Sequence, residues 1–444
     1  MVHVVVLGGG IGGVSMAYDM RAACSKHRDQ FKITVISDSP TFHFVPSNPW
    51  VGVGWKKREK IELPLEKYLK RKKIDFIPVA AKKVKPQENC IELIDGQVVA
   101  YDYLIISTGP RLAFEQVEGL GPHGGFTQSV CHVDHAEKAA EGWEDFKENP
   151  GPIIVGAVQG ASCFGPAYEH AFIMHRDLVK AGIRNEVPMT YITPEPYIGH
   201  LGLGGVGDSK SMLESELRKR DIKWICNAQV DKVEKGLMHV TEFDELGQEK
   251  RKHEVPFAYS MMLPPFAGVD ALMGVEGLVN EKGFVLTNEY QQNPTYPNVF
   301  AVGVCVAIAP KEKTPVPVGI PKTGYMIESM VMATAHNIIE ICQGKEPSNK
   351  PTLSAICLAD MGNTGVAFIA APQIPPRNIA WVRGGLWVHW LKIIFEWYFL
   401  RKVKTGSVSP FYERYALKLM GIRKRKLSKL RKQARKQRKQ GQKS

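Results

Sequence analysis

Several features are missing from this 444-residue chain. No apolar run reaches the ~20 residues that a membrane-spanning helix needs. Eight cysteines occur, at 24, 90, 131, 163, 226, 305, 342 and 357. None forms C-x-x-C, a zinc pattern or the C-x-x-C-H of an attached haem, which excludes those metal and haem classes. No leader precedes the first apolar strand, which favours a cytoplasmic chain. In a reducing compartment most of the thiols are expected to be buried and free, so any disulfide is a working one. Acid is absent from residues 423–444, which hold twelve Lys or Arg; of the net charge of +13, the rest of the chain therefore carries only +1. The body is nearly neutral and the basicity is a tail. Attraction to anionic lipid fits such a tail best, at ~1 kcal/mol per basic residue near the surface. RNA binding and plain solubility are its other readings.

What is present is organised around the first thirteen residues. Val4, Val5, Val6 and Leu7 form an unbroken apolar run, the pattern of a buried parallel strand. Gly8, Gly10 and Gly13 follow as G-x-G-x-x-G, and Val14, Met16, Ala17 and Met20 then recur at helical spacing. Strand, glycines and helix in that order are a dinucleotide-binding fingerprint. Gly8 allows the tight turn, Gly10 lets the backbone approach a pyrophosphate, and Gly13 lets helix and strand touch. Gly9, Ile11 and Gly12 complete the phosphate cradle, whose helix start offers unpaired N–H groups. Phe31–Ile36 is the expected second strand. Either Ser37 or Asp38 at its end meets the ribose hydroxyls. Residues 42–54 are aromatic and rich in Pro and Gly, suiting a packed loop or a wall beside a flat cofactor. Residues 61–71 read as an amphipathic helix and 74–81 as a third strand, ending at Ala81. Residues 101–109 form a strand returning to the cofactor at Gly109, where a small residue is needed.

A second strand–turn–helix begins at Pro152–Val155. Its glycine loop carries Val158 in the middle position, and a branched side chain there blocks the close approach a pyrophosphate requires. The nicotinamide site therefore looks disabled; the other reading is a variant loop that still takes NADH. Cys163 stands near the helix start, where a thiol has a lowered pKa, unless it is a small buried hydrophobe. Later, 296–306 is an apolar strand with Gly303 near its end. Residues 320–339 read as a long helix that begins with Pro321 and Thr323, and Gly324 is a further candidate for contact with the cofactor. Lys322 adds charge toward a reduced flavin or is simply exposed.

These residues resemble a family. The chain is similar to the two-dinucleotide-domain flavoproteins, and within them to the bacterial type of sulfide:quinone oxidoreductase, from Met1 to about Met420. The most specific pieces are FVPSNPWVGVGW (44–55), Cys131 with His135, GASCFGPAYE around Cys163, EPYIGHLG around His200, PKTGYMIESM from Pro321 and CLADMG from Cys357. One departure is Val304, where the wider flavoprotein pattern has an Asp that binds the ribityl chain. The resemblance implies FAD as cofactor, sulfide and quinone as substrates, and Cys163 with Cys357 as the sulfide-oxidising pair. It implies a third family cysteine at Cys131 and active-site histidines at His135 and His200, as proton carriers or as hydrogen-bonded structural groups. Lys392 matches a residue near flavin and quinone; Phe395 and Tyr412 match quinone neighbours.

The expected fold is α/β, with two Rossmann-like domains: 1–110 with 286–340 for FAD, and 111–285 without a working nicotinamide loop. Residues 341–422 are expected to attach to quinone and membrane, and 423–444 to be the tail. Residues 381–400 combine Trp381, Trp387, Trp390 and Trp397 with Lys392 and Glu396, followed by Arg401 and Lys402. With a second amphipathic stretch at 411–420 they suit a monotopic anchor whose basic residues meet headgroups, or else a helix pair docked on another subunit. The expected enzyme is thus peripheral to the membrane, probing sulfide on one flavin side and quinone on the other, without metal or nucleic acid; a homo-oligomer is left open. The competing enzyme reading is a type II NADH:quinone oxidoreductase.

Overall fold

A computed structural model describes residues 1–310 and 312–408. Tyr412, the 411–420 stretch and the basic tail lie outside the described residues. The chain opens with β1 (Val2–Leu7), α1 (Ile11–Ala23), β2 (Phe31–Ile36), β3 (Asp75–Ile77) and β4 (Tyr103–Ile106). There follow α2 (Val133–Glu148), β5 (Ile153–Ala157), α3 (Gly165–Ala181), β6 (Met189–Ile192), α4 (Ser209–Lys219), β7 (Ile222–Ile225) and β8 (Tyr259–Leu263). Then come β9 (Val299–Ala301), α5 (Gly324–Cys342), β10 (Ala355–Asp360), β11 (Gly365–Ala371), β12 (Ile379–Gly384) and α6 (Leu386–Thr405).

Two parallel sheets result, each with helices on one face and a three-stranded antiparallel sheet packed on the other, within residues 81–100 for the first and 228–256 for the second. The first has the order β9-β4-β1-β2-β3 and the second β7-β6-β5-β8. Central β1 pairs Val2–Leu7 with Phe31–Ile36, and Val4, Val5 and Val6 are wholly buried. Those β-branched residues suit a doubly covered strand. The first sheet closes only when β9 returns beside β4, so the segment after residue 286 belongs to the same layer as the N-terminus. Gly13 shows why its position is glycine: a Cβ there would lie 1.8 Å from the Gly8 carbonyl oxygen.

A further antiparallel sheet, β10-β11-β12, packs against α3, α5 and α6. It corrects two readings. Trp381 lies on β12, not on a helix, and α6 starts only at Leu386. Residues 61–71 are also not one helix: 62–64 pair as a strand with 41–43, and the helix is only Leu65–Lys70.

The charges of α6 are the larger surprise. Lys392, Glu396 and Lys402 are buried, whereas Leu386, Trp390, Ile394 and Trp397 are each 46–58% exposed. The helix thus presents an apolar stripe outward and Lys392, Glu396 and Lys402 to the protein, and of the basic residues expected to meet headgroups Lys402 is turned inward. Each buried charge has a partner. Lys392 meets Glu169 on α3, Glu396 meets Ser47 and Lys56, and Lys402 bridges Glu328 on α5 (2.6 Å) and Asp19 on α1 (3.9 Å). Burial pushes Asp19 up to about 7 despite Lys402. Removing one member of a buried pair strands the other charge. Lys402→Met is therefore expected to lower unfolding free energy by about 3–5 kcal/mol, read as a fall in the denaturant midpoint at unchanged slope.

Candidate active site

The first component is the cradle between α1 and α5. Gly12 would place a Cβ 2.5 Å from Ser107 Oγ and 3.4 Å from Ile327, and Gly303 looks onto the same two side chains. Around them, a Cβ on Gly10 or Gly109 meets nothing within 4 Å, so open space lies where backbone would face a ligand. At the α5 start, Thr323 Oγ1 is buried without a partner. Ser37 is buried at the end of β2, beside an exposed Asp38. Ala81 opens the strand 81–85 and packs on the cluster holding Leu7 and Ile36. Lys322 is half-buried over the Phe284 ring, 4.9 Å away, and burial pushes its ammonium down to about 8. These residues fit a flavin dinucleotide: glycine backbone for phosphates, a helix start and a cation near the redox end.

The second component is a trio of thiols. β10 packs between α3 and α5 and carries Cys357; a Cβ on Gly165, the first residue of α3, would sit 3.0 Å from Cys357 Sγ. Cys163, just before α3, is partly buried, and Cys357 and Cys131 are the nearest thiols that act on it. Cys163 and Cys357 are thus neighbours in space. All eight cysteines are free thiols. The expected lowering at Cys163 is reversed: burial, then Cys357 and Cys131, push its thiol far up, and one N–H from Gly165 opposes them weakly. The helix cap is Phe164 and Pro166 removes an early donor, so Cys163 precedes the stretch where the dipole acts. Burial raises Cys131 and Cys357 to about 11, with the Lys392 ammonium opposing it at Cys357.

Glu169 was missed at the sequence level, although an acid inside the apolar run Ala167–Ile173 was a signal. Its carboxylate, pushed up by burial and held by Lys392, stands beside Cys357. Trp50 packs under the Lys392 ammonium (5.6 Å) and donates to Asp360 (2.8 Å), while Asp360 also holds His389. On another side, Phe44, Phe395 and Phe399 form an aromatic wall with centroids 4.9–5.7 Å apart. The tip of Phe395 lies 3.3 Å from a Cβ built on Gly324. The wall, Lys392 and the α5 start are thereby brought together by one helix, α6.

The histidines stand elsewhere. His135 belongs to a row His43–His132–His135–His123 with ring spacings of 4.8, 5.7 and 5.1 Å. Burial pushes it down to about 4, and the charged groups acting on it are histidines, Asp134 and Lys138 rather than a cysteine. His200 lies in the loop after Glu195, bonded to Glu312. No group of three or more His, Cys, Asp or Glu suited to a metal ion occurs among the described residues.

The second glycine loop is packed into its own domain. Val158 is wholly buried in the core of the second domain. Gln159 pairs its amide with both backbone groups of Val230, at 3.0 Å each, like an extra strand residue. The comparisons agree with the geometry. Residues 2–337 match the Pyridine nucleotide-disulphide oxidoreductase family. The sulfide-quinone reductase of Aquifex aeolicus is 42% identical over 419 residues, 94% of each chain. The chain belongs to the sulfide:quinone oxidoreductase family. The X-ray structure of the Aquifex enzyme superposes with a TM-score of 0.88 over 94% of this chain and 95% of that one. The mouse mitochondrial sulfide:quinone oxidoreductase is 26% identical, covering 70% of this chain and 67% of its own. The NDH2 of Plasmodium falciparum shares the fold alone, with 14% identity and a TM-score of 0.67 over 92% and 99%. Membership of this flavin-dependent family makes the chain an oxidoreductase with a flavin cofactor.

Proposed function

We propose that this enzyme oxidises sulfide at Cys163 and Cys357 and passes the electrons through FAD to a membrane quinone. The observation that carries the reading is the meeting of these two cysteines, from distant segments, beside the cradle. Gly8–Gly13, Ser37 or Asp38, Ala81, Gly109, Gly303, Lys322 and Gly324 would hold FAD, which when bound supplies a two-electron acceptor. In the oxidised pair the sulfurs are joined. Hydrosulfide attacks Cys163, and Cys357, the less basic thiol of the two, leaves as thiolate. Lys392 favours that thiolate. Cys163 then carries a persulfide; closure onto Cys357 as a trisulfide releases two electrons and one proton, and further hydrosulfide lengthens the chain. Cys131 adds a thiol to the chamber, whereas His135 stands apart in the row of histidines.

Phe395 and the Phe44–Phe399 wall suit a quinone head, with Tyr412 a further candidate. The outward stripe of α6 suits the bilayer surface that a lipid-soluble acceptor demands; no described helix is long and apolar enough to cross it. The decisive test is anaerobic stopped-flow absorbance. Sulfide is expected to bleach the flavin and a short-chain quinone to restore it, while NADH leaves it oxidised because Val158 and Gln159 occupy the loop. Bleaching by NADH and not by sulfide overturns the reading in favour of an NADH:quinone oxidoreductase.

A further inference from the structure

Two loops close over the segment that leads to Cys163. In the first, 195–208, buried Glu195 accepts from Leu201 N–H (2.6 Å), Tyr168 O–H (2.8 Å) and Thr193 O–H (2.9 Å), and Tyr168 accepts from Gly199 N–H. Arg377 donates to the carbonyls of Gly205 and Leu203. The second, 312–321, lies directly on the cysteine loop: Gly160 N–H donates to Pro317 O (2.8 Å) and Gly319 N–H to Ala161 O (2.9 Å). The loops touch each other too. A Cβ on Gly202 would meet Gly319 O at 2.2 Å, and one on Gly319 would meet Ser162 Oγ at 2.6 Å.

One side-chain bond joins the two loops. His200, 2% exposed, places Nε2 at 2.7 Å from Glu312 Oε1, and Glu312 itself is 57% exposed. The tautomer follows from the other nitrogen. His200 Nδ1 accepts the Gly202 N–H at 3.2 Å, so the proton sits on Nε2 and is donated to the carboxylate. Both ring nitrogens are engaged, and neither is open to a substrate.

We propose that the His200–Glu312 bond is the pin of a lid over the cysteine chamber, making His200 a positioning residue that governs access of sulfur species to Cys163. The proposal rests on the cysteine-pair reading. Hydrosulfide must enter and a longer sulfur chain must leave past loops that Arg377, Glu195 and Gln373 tie to the body and that His200 and Glu312 tie to each other. The pin reaches solvent through Glu312, so one outer contact controls opening. The charged and titratable groups facing His200 are Glu312, Arg377 and Tyr197, with Glu195 behind Leu201.

Labelling tests the lid without turnover. The holoenzyme is reduced with dithiothreitol, cleared of reductant and exposed to a bulky maleimide, and Cys163 modification is followed by peptide mass. Glu312→Ala is expected to label about three- to tenfold faster than the parent, the effect of losing a partly exposed charged hydrogen bond. Glu312→Gln, whose amide oxygen still accepts from Nε2, is expected to stay within about twofold. The pH profile of sulfide-dependent flavin bleaching is expected to keep its shape in Glu312→Ala. Glu312 holds the His200 pKa up against burial, so a profile governed by His200 titration would instead move to lower pH. Parent-rate labelling in Glu312→Ala, or that acid-ward movement, overturns the proposal. Failure of sulfide to bleach the parent counts against the cysteine-pair reading and leaves the labelling result intact.

Discussion

Cys357→Ser is expected to give a yellow, folded protein whose sulfide-dependent quinone reduction falls by about three orders of magnitude or more. Cys163→Ser is expected to behave alike. The size follows from chemistry. A serine hydroxyl forms no bond to sulfur under these conditions, so neither the joined pair nor the sulfur bridge exists in the variants. Stability is expected to change little, since serine fills nearly the same space. Cys342→Ser, at an exposed position on α5, serves as the control and is expected to retain activity within about twofold. Steady-state assays with a soluble quinone and the flavin spectrum check all three. Normal turnover in either active-site variant removes the pair from the mechanism.

The cradle was legible because its signal is local. Val4–Leu7, three spaced glycines and a helix lie within about twenty residues, and each glycine answers a backbone requirement visible in the sequence. The signal at Val158 in the second glycine loop was equally local, whereas the bonds of its neighbour Gln159 needed the position of Val230. The partnership of Cys163 and Cys357 came from resemblance, since no spacing rule joins them. What failed was non-local. The pairs that bury α6 charges span 223, 349 and 74 positions. A lysine in an aromatic helix ordinarily faces water, and only its distant acid reverses that. The β10-β11-β12 sheet was missed because short apolar runs such as Gly365–Ala371 fit strand and helix alike. Cys163 was misjudged because a helix-end rule was applied to a residue that precedes the cap and that burial dominates.

Lys392→Met isolates what the buried ammonium does for both its neighbours. Glu169 is then left in an apolar setting with no cation against it. Burial already pushes this carboxyl above the ordinary range while Lys392 pulls it back, so the variant raises it further. A carboxyl whose folded pKa exceeds its unfolded value binds its proton more tightly in the folded state. The penalty is therefore absent below the unfolded value, near pH 4.5, and grows by about 1.4 kcal/mol per pH unit until the folded pKa is passed. Because Glu169 in the parent already sits at about 7, the two proteins part only above that pH, and Lys392→Met is accordingly expected to resemble the parent at pH 4.5 and to fall behind it by about 1.4 kcal/mol by pH 8. Adding Glu169→Gln is expected to flatten that slope, because no group remains to titrate. The second neighbour is Cys357. In the parent its thiol, at about 11, is expected to alkylate about tenfold faster per pH unit from 7 to 10, with no plateau near the ordinary 8.5. Without Lys392 the thiol rises again and alkylation at a given pH slows by about tenfold or more. Iodoacetamide labelling of the reduced protein and urea unfolding at both pH values read the two effects separately. A pH-independent stability loss with unchanged Cys357 labelling rules out the contact between Lys392, Glu169 and this thiol.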